Sequence, residues 1–211
     1  ILAMSGSLRA RLRVFLGKHF FRYRFDYREE WLTFTRTLSA KNTPQEMGQQ
    51  VIRALANMLE SPAGGLWMKA KGEATFSQTA RWNMAQTMEK ENANSPLCHF
   101  MLTSGWVINL EEYRSYSWRY GQLKLPSWLQ ELPHAWLVVP LTVGDGLIGF
   151  VVLARARTRV EVNWEVNDLL KTAGQQAASF LAQMQATEDL LEVRKFDAFN
   201  RMSAFVVHDL K

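Results

Sequence analysis

The stretch AWLVVPLTVGDGLIGFVVLAR, residues 135–155, decides the fold of this chain. Two apolar runs, Ala135–Val143 and residues 147–155, flank the turn sequence Gly144-Asp145-Gly146. A glycine-containing turn between two such runs is a strong signal for a β-hairpin. Both runs are apolar along most of their length, which is typical of strands covered on both faces. The sequence therefore predicts an antiparallel hairpin whose strands are covered on both faces.

Working outward from this hairpin, the chain predicts further strands and several helices. Residues 65–71 and 73–82 predict a strand pair that turns at Lys71-Gly72. Between the two strand pairs we first expect a polar loop at 83–94 and a helix at Pro96–Ser104, which Gly105 ends. A short strand at 106–108 and an aromatic-rich connector at 110–128 should follow, and then a short helix at 126–132. Helices are predicted upstream at 26–38 and at 43–59, the second with the capped start Thr43-Pro44-Gln45-Glu46. This order predicts an α+β domain, an antiparallel sheet backed by helices.

Residues 163–211 predict one long helix, interrupted only by Gly174, which a helix tolerates at a cost of about 1 kcal/mol. Apolar or small residues recur at alternating steps of four and three: Val166, Leu170, Ala173, Ala177, Phe180, Met184, Thr187 and Leu191. This spacing of 3.5 residues is typical of a coiled coil rather than of a helix that lies on a core. After Leu191 the apolar positions change phase. We expect this helix to form a parallel homodimer.

Composition excludes several classes of protein. The chain has 211 residues, of which 47% are hydrophobic, so a substantial core is expected. A single cysteine, Cys98, excludes an internal disulfide framework and indicates a reducing compartment. The sequence has no apolar run of membrane-spanning length, no glycine-rich phosphate loop and no cluster of metal ligands, and its four histidines are dispersed. We therefore expect no metal site.

Residues 1–25 form a basic segment in which six arginines and lysines precede the first acidic residue, Asp26. Basic residues of this kind follow transmembrane spans on the cytoplasmic side and attract anionic lipid. The segment predicts a membrane-anchored parent protein, with residues 26–42 as a linker helix. An ordinary amphipathic helix is the alternative interpretation. We expect no nucleic-acid partner, because the rest of the chain is close to neutral.

Residues 43–185 resemble a GAF domain. The resemblance rests on the capped helix that begins at Thr43, on Pro96-Leu97 through Gly105-Trp106-Val107-Ile108, and on the hairpin from Val139 to Phe150. It implies an α+β fold and a pocket between sheet and connector for a cyclic nucleotide, haem or a bilin. Residues that could line such a pocket are Trp67, Arg81, Cys98, His99 and Trp106, and further candidates are Arg114, Arg119 and Trp136.

Each pocket candidate also has a simpler structural interpretation. Cys98-His99 is similar to the attachment site of bilin-binding GAF domains, but the accompanying acidic and serine motifs are not evident, and a buried structural thiol is the favoured interpretation. A role for His99 or His134 as a haem ligand is similarly disfavoured relative to a structural role. The domain could also bind no ligand and act as a dimerising coupler.

The C-terminal stretch from Phe199 to Lys211 resembles the phosphoacceptor box of sensor histidine kinases. The resemblance implies that His208 attacks the γ-phosphate of ATP while Asp209 orients the imidazole and takes its proton. Residues 186–211 would then be a signalling helix that leads into the dimerisation and phosphoacceptor domain. ATP and Mg²⁺ would bind a domain beyond Lys211, so this chain alone should be inactive, and a response regulator would receive the phosphoryl group.

Residues 23–32, taken with the GAF-like part and the His208 box, resemble the PrsK-type histidine kinases that accompany exosortase and PEP-CTERM protein sorting. This resemblance implies a parent protein on the cytoplasmic side of the inner membrane. The alternative is a GAF-like ligand-binding or dimerisation module of a regulator without kinase chemistry. The signal that the domain senses stays open at this point.

Overall fold

The fold is a curled six-stranded antiparallel sheet with helices on both sides, taken from a computed structural model that describes residues 27–39, 44–70, 72–158 and 160–209. The predicted basic segment 1–25 lies outside these residues. The helices are α1 (Tyr27–Ser39), α2 (Pro44–Asn57), α3 (Pro96–Ser104), α4 (Leu110–Tyr116), a 3₁₀ turn (Ser117–Tyr120), α5 (Ser127–Glu131) and α6 (Trp164–Asp209). The strands are β1 (Gly64–Lys69), β2 (Thr75–Trp82), β3 (Glu91–Asn92), β4 (Ile108–Asn109), β5 (Ala135–Val143) and β6 (Gly146–Ala154).

The predicted hairpin forms the middle of the sheet. The strand order is β3-β2-β1-β6-β5-β4, so β6 pairs with β5 on one side and with β1 on the other. Residues 150–153 of β6 are fully buried, and they alternate between two separate apolar clusters. This alternation explains why the hairpin has apolar residues at nearly every position: each face of the sheet is covered by its own core. The predicted α+β fold class is confirmed.

One core, the helix-side core, lies between the sheet and α1, α2 and α6. Its fully buried members include Phe34, Leu55, Leu137, Val151 and Leu170. The other, the connector-side core, lies between the opposite face of the sheet and the segment that joins β3 to β5. Its fully buried members include Trp67, Phe76, Leu97, Met101 and Phe150.

Most elements lie within a few residues of their predicted positions, and the differences are local. Gly105 ends α3 as predicted, because it adopts a left-handed conformation with φ 62° and its N–H bonds the carbonyl of Met101. The predicted loop at 83–94 contains the short edge strand β3. The connector contains the helix α4, which Asn109 caps by accepting hydrogen bonds from the N–H groups of Glu111 and Glu112.

The first half of α6 corrects the coiled-coil prediction. Val166, Leu170, Ala173 and Ala177 are buried in the helix-side core, and α6 packs mainly on β5 of its own chain. The prediction that this seam belongs to a coiled coil rather than to a core is therefore wrong for residues 166–177. Small residues at an interface let a helix approach a sheet closely. In α6 the residues that face the sheet recur at steps of three and four, which is also the spacing that a coiled coil requires.

Gly174 has a specific packing role in α6. A Cβ atom at this position would lie 2.6 Å from the carbonyl oxygen of Pro140 and 3.0 Å from Cγ1 of Val139. The glycine therefore allows the helix backbone to lie directly against β5.

Within the described residues, no helix has the length and hydropathy needed to cross a membrane.

Candidate functional site

The connector-facing side of the sheet is filled by aromatic side chains. Trp67 on β1 stacks on Phe150 of β6 with ring centroids 5.6 Å apart and planes 7° apart, and on Trp128 of α5 at 5.3 Å. Trp67 is fully buried, so this candidate is a core residue, and protein side chains occupy the place between sheet and connector where a pocket was expected. Its indole Nε1 has no hydrogen-bond partner among the described residues.

Glu91 is a buried carboxylate that sequence reasoning missed. Its side chain accepts a hydrogen bond of 2.7 Å from Nε1 of Trp128, which ties the edge strand β3 to α5. A charged group taken out of water needs a partner of this kind. Because residues 83–94 were predicted as a polar loop, nothing in the local pattern distinguished Glu91 from a solvated glutamate.

Cys98, His99 and Arg81 do not converge on one site. Cys98 is buried in the connector-side core, and burial raises the pKa of its thiol from the ordinary 9.0 to about 11, with the hydrogen bond to Ser95 opposing this shift. A raised pKa lowers the fraction of thiolate, which is the reactive form of cysteine. His99 is exposed on the next helical position, and Arg81 is exposed and donates to the carbonyl of Met84 at 3.1 Å.

An open groove lies instead at the β4 edge of the sheet, where the connector meets the start of α6. It has a volume of about 750 Å³ and contains the predicted candidate Trp106. The lining residues are Trp106, Val107, Glu112, Trp118, Arg119, Tyr120, Trp164, Asn167, Asp168 and Lys171. The further candidate Arg119 lies here too, whereas Trp136 is buried in the helix-side core. We call this feature the tryptophan groove.

One wall of the tryptophan groove is held by a small polar network. The phenol of Tyr120 donates to the carboxylate of Glu112 at 2.9 Å and accepts from the backbone N–H of Asn109 at 3.1 Å. Burial raises the pKa of Tyr120, and the neighbouring Glu112 carboxylate acts in the same direction, so the phenol keeps the proton that it donates. Arg119 forms an ion pair with Glu112 and places its guanidinium over the rings of Tyr116 and Trp118.

The other wall is one face of α6, and sequence reasoning missed it. Trp164, Asn167, Asp168 and Lys171 follow each other at steps of three, one and three, which places them on the same side of a helix. The sequence pattern could have identified this face, but not the connector that lies opposite it. That contact depends on α6 packing against β5.

Beyond the domain, α6 continues as an exposed helix. Every residue from Gln185 to Phe196 is exposed, including the large apolar residues Leu190, Leu191 and Val193. The backbone of His208 and Asp209 belongs to this helix, while their side chains, and all of Leu210 and Lys211, lie outside the described part of the structure. In the described residues, no group of three or more histidine, cysteine, aspartate or glutamate side chains could hold a metal ion.

Comparison with known proteins supports one family. The family profile described as "GAF domain" matches residues 43–183. The fold is similar to the GAF domain of a phosphoenolpyruvate-protein phosphotransferase from Coxiella burnetii, with a TM-score of 0.59, 15% identity and coverage of 78% of this chain and 97% of that one. It is also similar to a GAF domain/HD domain protein from Geobacter sulfurreducens, with a TM-score of 0.52, 18% identity and coverage of 70% and 97%.

A third similar structure comprises residues 122 to 287 of a methyl-accepting chemotaxis protein, with a TM-score of 0.53, 14% identity and coverage of 74% of this chain and 98% of that one. At sequence identities of 14–18%, these three comparisons show that the fold is similar. A search of the curated proteins finds no match.

Proposed function

Because this chain belongs to the GAF domain family, we propose that it is the sensory and dimerising region of a sensor histidine kinase. The observation that carries this proposal is the continuity of α6. A single helix runs from the helix-side core to the sequence His208-Asp209, which resembles a phosphoacceptor box. A kinase regulated by this domain requires a connection between the sensory domain and the acceptor histidine, and one continuous helix provides it.

Packing at the start of α6 supports a mechanical link between the two ends. Leu170, Ala173 and Ala177 are fully buried, and Gly174 brings the helix against the carbonyl of Pro140. A change in the sheet or in the tryptophan groove would therefore act directly on the start of this helix. His208 lies 27 residues beyond Leu181, the last buried residue of the helix, and this separation corresponds to about 40 Å along a helix.

The exposed apolar residues of α6 support a homodimer. Leu190, Leu191, Val193 and Phe196 are each at least half exposed. Burying such side chains against the same residues of a second chain would stabilise the dimer by about 25 cal/mol for each Å² of apolar surface removed from water. A parallel pair of helices would place the two His208 residues at one end of the dimer, where ATP-binding domains could reach them.

The proposed reaction is phosphoryl transfer to His208. An imidazole nitrogen attacks the γ-phosphorus of ATP, the bond from that phosphorus to the bridging oxygen breaks, and ADP leaves. Asp209 orients the ring and takes its proton. ATP and Mg²⁺ would be held by a domain outside this chain, and an aspartate of a response regulator would then receive the phosphoryl group.

The wider setting of the parent protein is part of the same proposal. The resemblance of residues 23–32 and 199–211 supports a PrsK-type kinase associated with PEP-CTERM sorting, and the basic residues of 1–25 support an anchor on the cytoplasmic side of the inner membrane. Both rest on the sequence alone.

The test is autophosphorylation of the full-length protein with labelled ATP and Mg²⁺. We expect acid-labile label in the parent and in His99→Gln, which changes an exposed histidine on α3, and none in His208→Gln. Label that persists in a folded His208→Gln protein would exclude His208 as the acceptor. The domain would then be a ligand-binding or dimerisation module of a regulator without this chemistry.

A further inference from the structure

The tryptophan groove presents three large aromatic side chains to solvent from three separate elements. Trp106 follows α3, Trp118 belongs to the 3₁₀ turn and Trp164 is the first residue of α6, and they are 56%, 73% and 76% exposed. Exposed tryptophans gathered around one concave surface are uncommon on a folded domain and mark binding sites. The volume of about 750 Å³ is in the range of small-molecule sites.

The charged side chains around the groove fall into two sets, one that forms an ion pair and one that does not. Arg119 and Glu112 neutralise each other. Asp168 and Lys171, by contrast, take part in no ion pair within the described part of the chain. Next to them, Oδ1 of Asn167 is buried and has no hydrogen-bond partner among the described residues. Such an acceptor costs about 1–3 kcal/mol until a donor satisfies it.

The structure holds Lys171 in place without neutralising it. The methylene stem of Lys171 lies against Gly105, where an added Cβ atom would be 3.3 Å from Cε and 3.5 Å from Nζ. The left-handed glycine that ends α3 therefore leaves room for the lysine beside Trp106. The ammonium group is thus positioned at the groove, one helical turn beyond the two acceptors Asn167 and Asp168.

We propose that the tryptophan groove binds a free α-amino acid with an aromatic side chain. The α-ammonium group would donate to Oδ1 of Asn167 and to the carboxylate of Asp168, and the α-carboxylate would accept from the ammonium of Lys171. The aromatic side chain would stack among the three tryptophans. A simple anion would contact only Lys171 and a simple cation only Asp168 and Asn167, whereas a zwitterion would contact all three.

This inference deepens the proposed sensory role and rests on it for its meaning in the cell. Trp164, Asn167, Asp168 and Lys171 belong to the helix that runs to His208, so a ligand in the groove would contact α6 directly. The binding measurement needs neither ATP nor His208. A failure to bind would therefore leave the phosphorylation test of the proposed function untouched, and the reverse holds as well.

The experiment is calorimetric titration of the complete chain with L-phenylalanine, 3-phenylpropanoate and phenethylamine. The second compound lacks the ammonium group and the third lacks the carboxylate. We expect L-phenylalanine to bind at least tenfold more tightly than either, and to change the tryptophan fluorescence excited where phenylalanine does not absorb. Absence of binding by millimolar L-phenylalanine, or equal affinity for the three compounds, would overturn the proposal.

Two substitutions test the residues involved. Lys171→Met keeps the stem and removes the charge, and Asp168→Asn removes the negative charge at constant shape; each should weaken L-phenylalanine binding at least tenfold. Lys124→Met, which changes an exposed lysine outside the groove lining, should leave binding unchanged. Circular dichroism confirms that each variant is folded. Unchanged affinity in folded Lys171→Met would also overturn the proposal.

Discussion

Burial separates residues that look alike in the sequence. Trp67 and Trp118 are both tryptophans in aromatic surroundings, yet Trp67 is fully buried between Phe150 and Trp128, whereas Trp118 is 73% exposed. The residues next to each tryptophan in the sequence do not predict this difference in burial. It arises because β1 lies in the middle of the sheet and the 3₁₀ turn lies at its edge.

Trp67→Ala should therefore destabilise the domain by about 3–5 kcal/mol, since it removes the ring at the centre of the connector-side core and leaves a cavity. Trp118→Ala is the matched control and should change stability by less than about 0.5 kcal/mol. Urea denaturation followed by circular dichroism measures both. Similar midpoints for the two variants would contradict the assignment of Trp67 to the core.

Cys98 makes a second prediction at the residue scale, through pH. Its pKa is raised by burial to about 11 in the folded protein from 9.0. Below pH 9 the thiol is protonated in both states and its contribution to stability is complete. As the pH rises from 9 toward 11, the unfolded state loses the proton first, so folding stability falls.

The measurement compares the free energy of unfolding of the parent and of Cys98→Ala across this pH range. Between pH 9 and 11 the parent should lose about 2 kcal/mol relative to the variant, which is most of the roughly 2.7 kcal/mol that two units of pKa shift represent. Parallel pH profiles would show that the thiol is not buried as described. Slow labelling of the native protein by a thiol reagent, and rapid labelling in urea, is expected as well.

At the scale of elements, α6 shows how one periodicity serves two structures. Steps of three and four place Val166, Leu170, Ala173 and Ala177 on one face, and the helix-side core takes this face as readily as a second helix would. The sequence predicted the helix and its apolar seam, but the choice between sheet and partner depended on the distance between α6 and β5.

Gly174→Ala tests that close approach. In an isolated helix alanine is favoured over glycine by about 1 kcal/mol, but here the new methyl group would meet the carbonyl of Pro140. We expect net destabilisation of about 1–3 kcal/mol, the usual cost of overpacking. Ser179→Ala, an exposed position on the same helix, should be neutral or slightly stabilising. A stabilised Gly174→Ala protein would mean that α6 does not lie against β5 as described.

For the whole molecule, the part of α6 beyond Leu181 decides the assembly. No other described element of this chain covers residues 185–196, and the apolar side chains there are exposed. The apolar core of the domain is thus buried within one chain. The exposed apolar side chains of the helix extension need a partner that buries them.

The complete chain should accordingly sediment with twice the mass of one chain at micromolar concentration. Replacing Leu190, Val193 and Phe196 together by glutamine should shift the equilibrium to monomer, because the apolar surface that drives association is lost. The matched control replaces the exposed polar residues Glu188, Glu192 and Lys195 by glutamine and should remain dimeric. A monomeric parent, or a dimeric triple variant, would exclude association through this stretch.

The sequence by itself determined the hairpin, the order of helices and strands, the α+β class and the long final helix, because these depend on local propensity and on the period of apolar residues. It also predicted Trp106 among the possible ligand contacts. Only the tertiary structure decided that Trp67 is buried between sheet and connector and that Trp106 lies beside Lys171 in an open groove. Such contacts join residues more than sixty positions apart, and their distances follow from how α6 and the connector pack around one sheet.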